Sequence, residues 1–162
     1  MSGSGAIEPL SEELLRYGIE MAPVYRRLRR LVGQLGGIAI LAQAGQSAPW
    51  PDHPALAAAG EALREAEETI RRASVPAEQH ASHAHLRRSA ADLAWVVSRL
   101  RKPPIAEAHD RTWPGTVAIA LDRAYRALKW ASNEALGFSL VDARQSCCCS
   151  AHAPAGTHHP PA

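Results

Sequence analysis

The chain has 162 residues and a formal net charge of +2; its hydrophobic content is 46%, and its aromatic content is only 5%. This length suits a single domain with one continuous core, and the dominance of Ala and Leu favours helices over strands. The near balance of charges excludes a strongly electrostatic mode of nucleic-acid binding for the whole domain, and the longest apolar run, GGIAILAQAG, is about half as long as a membrane span.

The opening segment, MSGSGAIEPL, lacks the basic start and the apolar run of a signal peptide. We therefore expect a cytoplasmic protein whose thiols are reduced and which has no disulfide framework. Residues 1–9 are predicted to form a flexible N-terminus.

An apolar stripe with alternating spacings of four and three predicts a first helix over about residues 10–44. Its members are Leu10, Leu14, Tyr17, Met21, Val24, Leu28, Leu31, Leu35, Ile38 and Ala42. Ser11 is the expected N-cap. Pro23 lies inside the pattern and is expected to kink or split the helix, because proline removes a backbone donor.

The same spacing predicts three further helices, over about residues 54–73, 76–102 and 114–136. The stripe of the second helix consists of Leu56, Ala59, Leu63, Ala66, Ile70 and Ala73. The stripe of the third consists of His83, Leu86, Ala90, Leu93, Val97 and Leu100. The stripe of the fourth consists of Val117, Leu121, Ala124, Leu128, Ala131, Ala135 and Phe138.

Short polar residues before these stripes predict where the helices begin. Asp52 is the expected N-cap of the second helix, Ser74 that of the third and Thr112 that of the fourth. The end of the fourth helix has two interpretations. Gly137 either stops it and leaves FSLVDARQS as a loop, or the helix continues beyond residue 136 because Phe138 keeps the period.

Four stripes with short connections predict an all-α fold, an antiparallel up-down-up-down four-helix bundle over residues 10–146. Residues 147–162 are predicted to be a flexible tail containing Cys, His and Pro, because their composition is typical of disorder. The first helix is predicted to be longer than its neighbours. The apolar residues that extend beyond those neighbours are then expected to be buried against another surface.

Cysteine and histidine residues mark one end of this bundle as a candidate metal site. His80 and His83 are three residues apart at the start of the third helix, and Cys147, Cys148 and Cys149 reach the same end if the fourth helix continues. Thiolate and imidazole ligands suit zinc or Cu(I). The competing interpretation is a reduced cysteine cluster on a flexible tail, because three adjacent cysteines lack the spacing of a zinc motif.

The opposite end of the bundle gathers polar and aromatic residues from the loops PWPDHP and HDRTWP. They are Trp50, Asp52, His53, His109, Asp110 and Trp113. Two histidines and two carboxylates suit a metal or acid–base chemistry, but helix capping and Trp-Pro turns explain the same residues without a ligand.

These features favour a small non-enzymatic protein that acts through protein–protein interaction or regulation, with a partner chain or a second copy. The alternative is a carrier or sensor for zinc or copper that uses Cys147–Cys149 with His80 and His83. An enzyme is the least supported class, because the sequence has neither a phosphate-binding glycine loop nor a nucleophile elbow.

Overall fold

The computed structural model describes residues 10–43, 53–102 and 113–139. Within these ranges the protein has four α-helices and no β-strand: α1 (Glu12–Gln43), α2 (Pro54–Arg72), α3 (His80–Arg101) and α4 (Trp113–Ala131). The predicted all-α class is therefore confirmed. In the same ranges, no helix has both the length and the apolar character needed to cross a bilayer.

The longest helix, α1, begins where the sequence predicts and passes through its proline. The Oγ atom of Ser11 accepts a hydrogen bond from the Leu14 N–H at 3.2 Å, which confirms Ser11 as the cap. The split expected at Pro23 is wrong, because α1 runs unbroken over 32 residues. Pro23 is exposed and lies on the solvent side of α1, where the Ile19 carbonyl that loses its helical partner can be hydrated.

The starts of α2 and α3 differ from the predicted caps. The N-cap of α2 is His53 rather than Asp52, and its Nδ1 atom accepts from the Ala55 N–H at 3.2 Å. A short 3₁₀ helix, Ala77–Gln79, precedes α3 and has Pro76 as its N-cap, so Ser74 does not cap this helix. Thr112, the predicted cap of α4, lies outside the described residues.

The predicted apolar stripes form the core. The stripe residues of α1 from Tyr17 to Ile38, of α2 from Leu56 to Ile70 and of α3 from His83 to Leu100 are all buried. Helix α1 packs against α2 and α4, and α3 packs against the same two helices. All four helices therefore contribute to one continuous hydrophobic core.

After α4 the chain turns back in a segment that we call the C-terminal hook, residues 132–139. The backbones of Asn133 and Phe138 exchange two hydrogen bonds, of 3.0 and 2.9 Å. Gly137 between them has a φ of 75°, a left-handed conformation that glycine adopts at little cost. The predicted extension of the fourth helix to residue 136 or beyond is wrong, because α4 ends at Ala131 and the chain then turns back.

The C-terminal hook inserts an aromatic ring into the core beside α1. Phe138 is fully buried; its ring stacks on Tyr25 with centroids 5.3 Å apart and meets Tyr17 at 6.3 Å. A Cβ atom at Gly18 would lie 3.1 Å from Leu136 Cδ2, which is a tight contact, so the glycine lets the hook pack closely against α1.

Two side chains of α1 hold the end of α4 and the hook through backbone carbonyls. The Tyr25 hydroxyl donates to the Leu128 carbonyl at 3.2 Å, in the last turn of α4. Arg29 Nη1 donates to the Ser139 carbonyl at 2.8 Å. Arg29 lies about three turns after Tyr17 along α1. Ser139, the last residue of the hook, is therefore held well beyond the beginning of α1.

Candidate functional site

His83, a predicted metal ligand, lies in the core as the stripe pattern predicts. Its Nδ1 atom is 3.2 Å from the Tyr17 hydroxyl, and the ring also hydrogen-bonds to the Ile70 backbone. The bond to Ile70 raises the pKa of His83, so the ring is its donor. His83 thus connects α1, α2 and α3 through the Tyr17 hydroxyl and the Ile70 backbone.

Burial opposes charge on both members of this pair. Desolvation is the main cause that lowers the pKa of His83, and the nearby positive charge of Arg87 lowers it further. Desolvation also raises the pKa of Tyr17 to about 12, with a smaller contribution from the Glu20 carboxylate. Both side chains are therefore neutral near pH 7, which suits a structural hydrogen bond.

The predicted metal site is not assembled among the described residues. His80 is exposed at the start of α3, whereas His83 faces the core with its ring hydrogen-bonded to Tyr17 and to the Ile70 backbone. Cys147, Cys148 and Cys149 lie outside the described part of the chain. Within that part, no three His, Cys, Asp or Glu side chains are grouped so that they could hold a metal ion. Because α4 ends at Ala131, a continuous helix does not carry the cysteines towards His80.

Of the polar and aromatic loop residues in PWPDHP and HDRTWP, the structure describes only some. His53 acts as the cap of α2, in the role that the sequence assigned to Asp52. Trp50, Asp52, His109 and Asp110 lie outside the described residues, and α4 begins at Trp113.

An exposed surface along α3 and α4 carries features that the stripe pattern does not predict. The Asp92 carboxylate accepts from Arg123 at 2.6 Å, and the ring of His85 stacks on Trp130 with centroids 6.3 Å apart. His85 and Asp92 are seven residues apart on α3, and Arg123 and Trp130 are seven residues apart on α4. Asp92, the later residue of α3, pairs with Arg123, the earlier residue of α4. If the same alignment of the two helices continues for one more turn, Trp95 comes near Ile119.

We call this surface the α3–α4 face; it comprises His85, Arg88, Asp92, Trp95, Arg99, Ile119, Asp122, Arg123, Arg126 and Trp130. Trp130 is 72% exposed and Ile119 is 60% exposed, and the Trp95 ring lies under the Arg99 guanidinium at 5.9 Å. A cleft of about 230 Å³ opens beside Trp130, lined by His85, Arg88, Arg123 and Arg126.

Positive charge dominates the α3–α4 face. Its four arginines face two aspartates, Asp92 paired with Arg123 and Asp122 paired with Arg126 at 2.8 Å. Among the described residues Arg88 has no carboxylate partner. Exposed tryptophan and arginine are the residue types that contribute most binding energy at protein interfaces.

A second concave surface lies between α2 and α3, on the other side of α3. This α2–α3 groove has a volume of about 520 Å³ and is lined by apolar residues of both helices, by the His83 ring and by Glu67, Arg71 and Arg87. The convergence of Arg71 and Arg87 depends on how α2 and α3 are rotated against each other, which no single stripe specifies.

The chain has no match among protein-family models, curated proteins or solved structures.

Proposed function

We propose that this protein is a non-enzymatic interaction module of the cytoplasm, an up-down-up-down four-helix bundle that binds an acidic segment of another protein on its α3–α4 face. The observation that carries the proposal is the exposure of Trp130 and Ile119 between arginine side chains. A soluble domain gains nothing in stability from an indole that is 72% exposed, whereas a partner that covers it gains apolar burial.

The charge of the face favours an acidic partner over a second copy of this chain. Around the cleft, Arg88, Arg123 and Arg126 against Asp92 and Asp122 leave a net positive surface, and two such faces would repel each other. The cleft beside Trp130 is lined by His85 and arginines without a carboxylate among its described residues. It suits an apolar anchor of the partner flanked by Asp or Glu.

Site-specific photo-crosslinking in cells that produce the protein tests this proposal. A photoreactive residue in place of Ile119, which is 60% exposed on this face, should crosslink to a partner peptide rich in Asp and Glu. Binding of the recovered partner should weaken at least about tenfold in Trp130→Ala and in Arg88→Glu. Ile40→Ala, which removes an exposed apolar side chain near the end of α1, is the matched control and should leave binding unchanged.

Three results would contradict the proposal. They are a crosslinked peptide without acidic residues, a crosslink to a second copy of the chain, and equal binding by Trp130→Ala and Ile40→Ala. Higher salt should weaken the authentic complex, because its charge pairs lie at an exposed surface.

A further inference from the structure

The α2–α3 groove combines the size and the polarity of a small-molecule site. Its volume of about 520 Å³ falls within the range of ligand pockets in proteins. Ala73, which follows α2, and Val75 are partly exposed and supply an apolar lining, so a ligand seated there would bury its own apolar surface.

The charged groups around this lining determine which sign of charge a bound ligand can carry. Arg71 and Arg87 contribute two positive charges, and Glu67 contributes one negative charge. Arg71 forms an ion pair with Glu68, whereas Arg87 has no carboxylate partner among the described residues. A guanidinium beside an apolar surface binds a carboxylate through two parallel hydrogen bonds.

His83 closes the groove as a neutral ring and contributes no charge. The ring is already hydrogen-bonded within the protein, to Tyr17 and to the Ile70 backbone. The polar head of a ligand is therefore left to Arg87, and the ring serves as part of the apolar wall.

We propose that the α2–α3 groove binds a small organic carboxylate with an unbranched apolar tail, its head on Arg87 and its tail on Ala73 and Val75. This site is separate from the α3–α4 face. Arg87 and Arg88 are adjacent in sequence but line the groove and the cleft respectively, so the two binding activities can be tested independently.

Titration of the full chain with octanoate, followed by calorimetry and by amide chemical shifts, tests the proposal. We expect octanoate to bind, acetate to bind far more weakly because it has no tail, and octylammonium not to bind because its head is positive. Arg87→Gln should weaken octanoate binding about tenfold, and Glu67→Gln should strengthen it. Ala91→Leu, at an exposed lining position, should block the groove.

A matched control and a spectroscopic signature separate this site from non-specific uptake. Arg88→Gln removes the neighbouring positive charge and should leave octanoate binding unchanged. Bound octanoate should also raise the pKa of His83, measured from its ring proton shifts, because a carboxylate at Arg87 offsets the charge that lowers this pKa.

The proposal is overturned by any of three results with variants that keep their helical circular dichroism. They are no octanoate binding at millimolar concentration, equal binding of octanoate and octylammonium, and equal effects of Arg87→Gln and Arg88→Gln. Loss of partner binding by the α3–α4 face would leave the octanoate result unaffected.

Discussion

The Tyr17 hydroxyl and the Nδ1 atom of His83 lie 3.2 Å apart inside the protein and join the beginning of α1 to the beginning of α3. Removing the hydroxyl leaves a buried ring nitrogen without this hydrogen-bond partner. We expect Tyr17→Phe to lower the free energy of unfolding by about 1–3 kcal/mol. Urea denaturation followed by circular dichroism measures this change.

Tyr125→Phe is the matched control for this prediction. Tyr125 is partly exposed on α4, and its hydroxyl has no hydrogen-bond partner among the described residues. Its loss should change stability by less than about 0.5 kcal/mol. Equal effects of the two substitutions would mean that the bond between Tyr17 and His83 does not stabilise the fold.

The lowered pKa of His83 predicts how stability depends on pH. Above the ordinary value of 6.5 the ring is neutral in both the folded and the unfolded chain, and it adds no pH dependence. Below 6.5 the unfolded chain takes up a proton that the folded chain resists, so stability falls as the pH drops towards the lower folded pKa.

His83→Gln isolates this contribution, because glutamine can both donate and accept but does not titrate. Denaturation midpoints between about pH 8 and about pH 5 should fall more steeply for the natural protein than for the variant. If the midpoints of the natural protein and of His83→Gln fall equally with pH, other groups, such as the carboxylates, account for the whole pH dependence of stability.

The C-terminal hook should contribute a large share of the stability through one ring. Phe138 is fully buried against Tyr17 and Tyr25, and its removal leaves a cavity. We expect Phe138→Ala to cost about 3–5 kcal/mol, measured by urea denaturation. Ser139→Ala is the control; it keeps the backbone carbonyl that Arg29 uses and should be neutral. A small effect of Phe138→Ala would mean that the hook is detached in solution.

A buried hydroxyl in α3 predicts a stabilising substitution. Ser89 is fully buried, and its Oγ atom has no hydrogen-bond partner among the described residues. Ser89→Ala removes this cost and improves helix propensity, so it should raise the free energy of unfolding by about 1 kcal/mol. Thermal denaturation checks the sign, and a lower midpoint would reveal a partner for the hydroxyl.

The cysteine cluster remains a prediction that metal analysis can decide. If Cys147–Cys149 bind zinc or copper together with His80, untagged protein purified under reducing conditions should contain stoichiometric metal. Replacing the three cysteines by serine should remove it, whereas His83→Gln should change stability but not metal content. Metal near zero in both the natural protein and the serine variant would end the hypothesis.

The sequence predicts those parts of this fold that depend on local periodicity. The central stripe residues of α1, α2 and α3 are buried as predicted, because the period of a single helix determines which residues share its apolar side; Leu14, Ala42 and Ala73 near the helix ends are only partly buried. The stacking of Phe138 on Tyr25 depends on tertiary packing, which the spacing of apolar residues within one helix does not reveal. That spacing instead favoured a longer α4. The placement of Trp130 beside His85 depends on how two distant segments align, so the α3–α4 face could not be foreseen.

The position of Phe138 has a consequence for biosynthesis. It is the only phenylalanine of the chain, and its ring completes the aromatic cluster formed with two tyrosines of α1. A nascent polypeptide therefore exposes those tyrosines until translation has passed α4 and the closing segment has left the ribosome. Chaperones recognise apolar surface that is exposed during synthesis. The tyrosines of α1 therefore leave the nascent chain open to aggregation until Phe138 emerges from the ribosome.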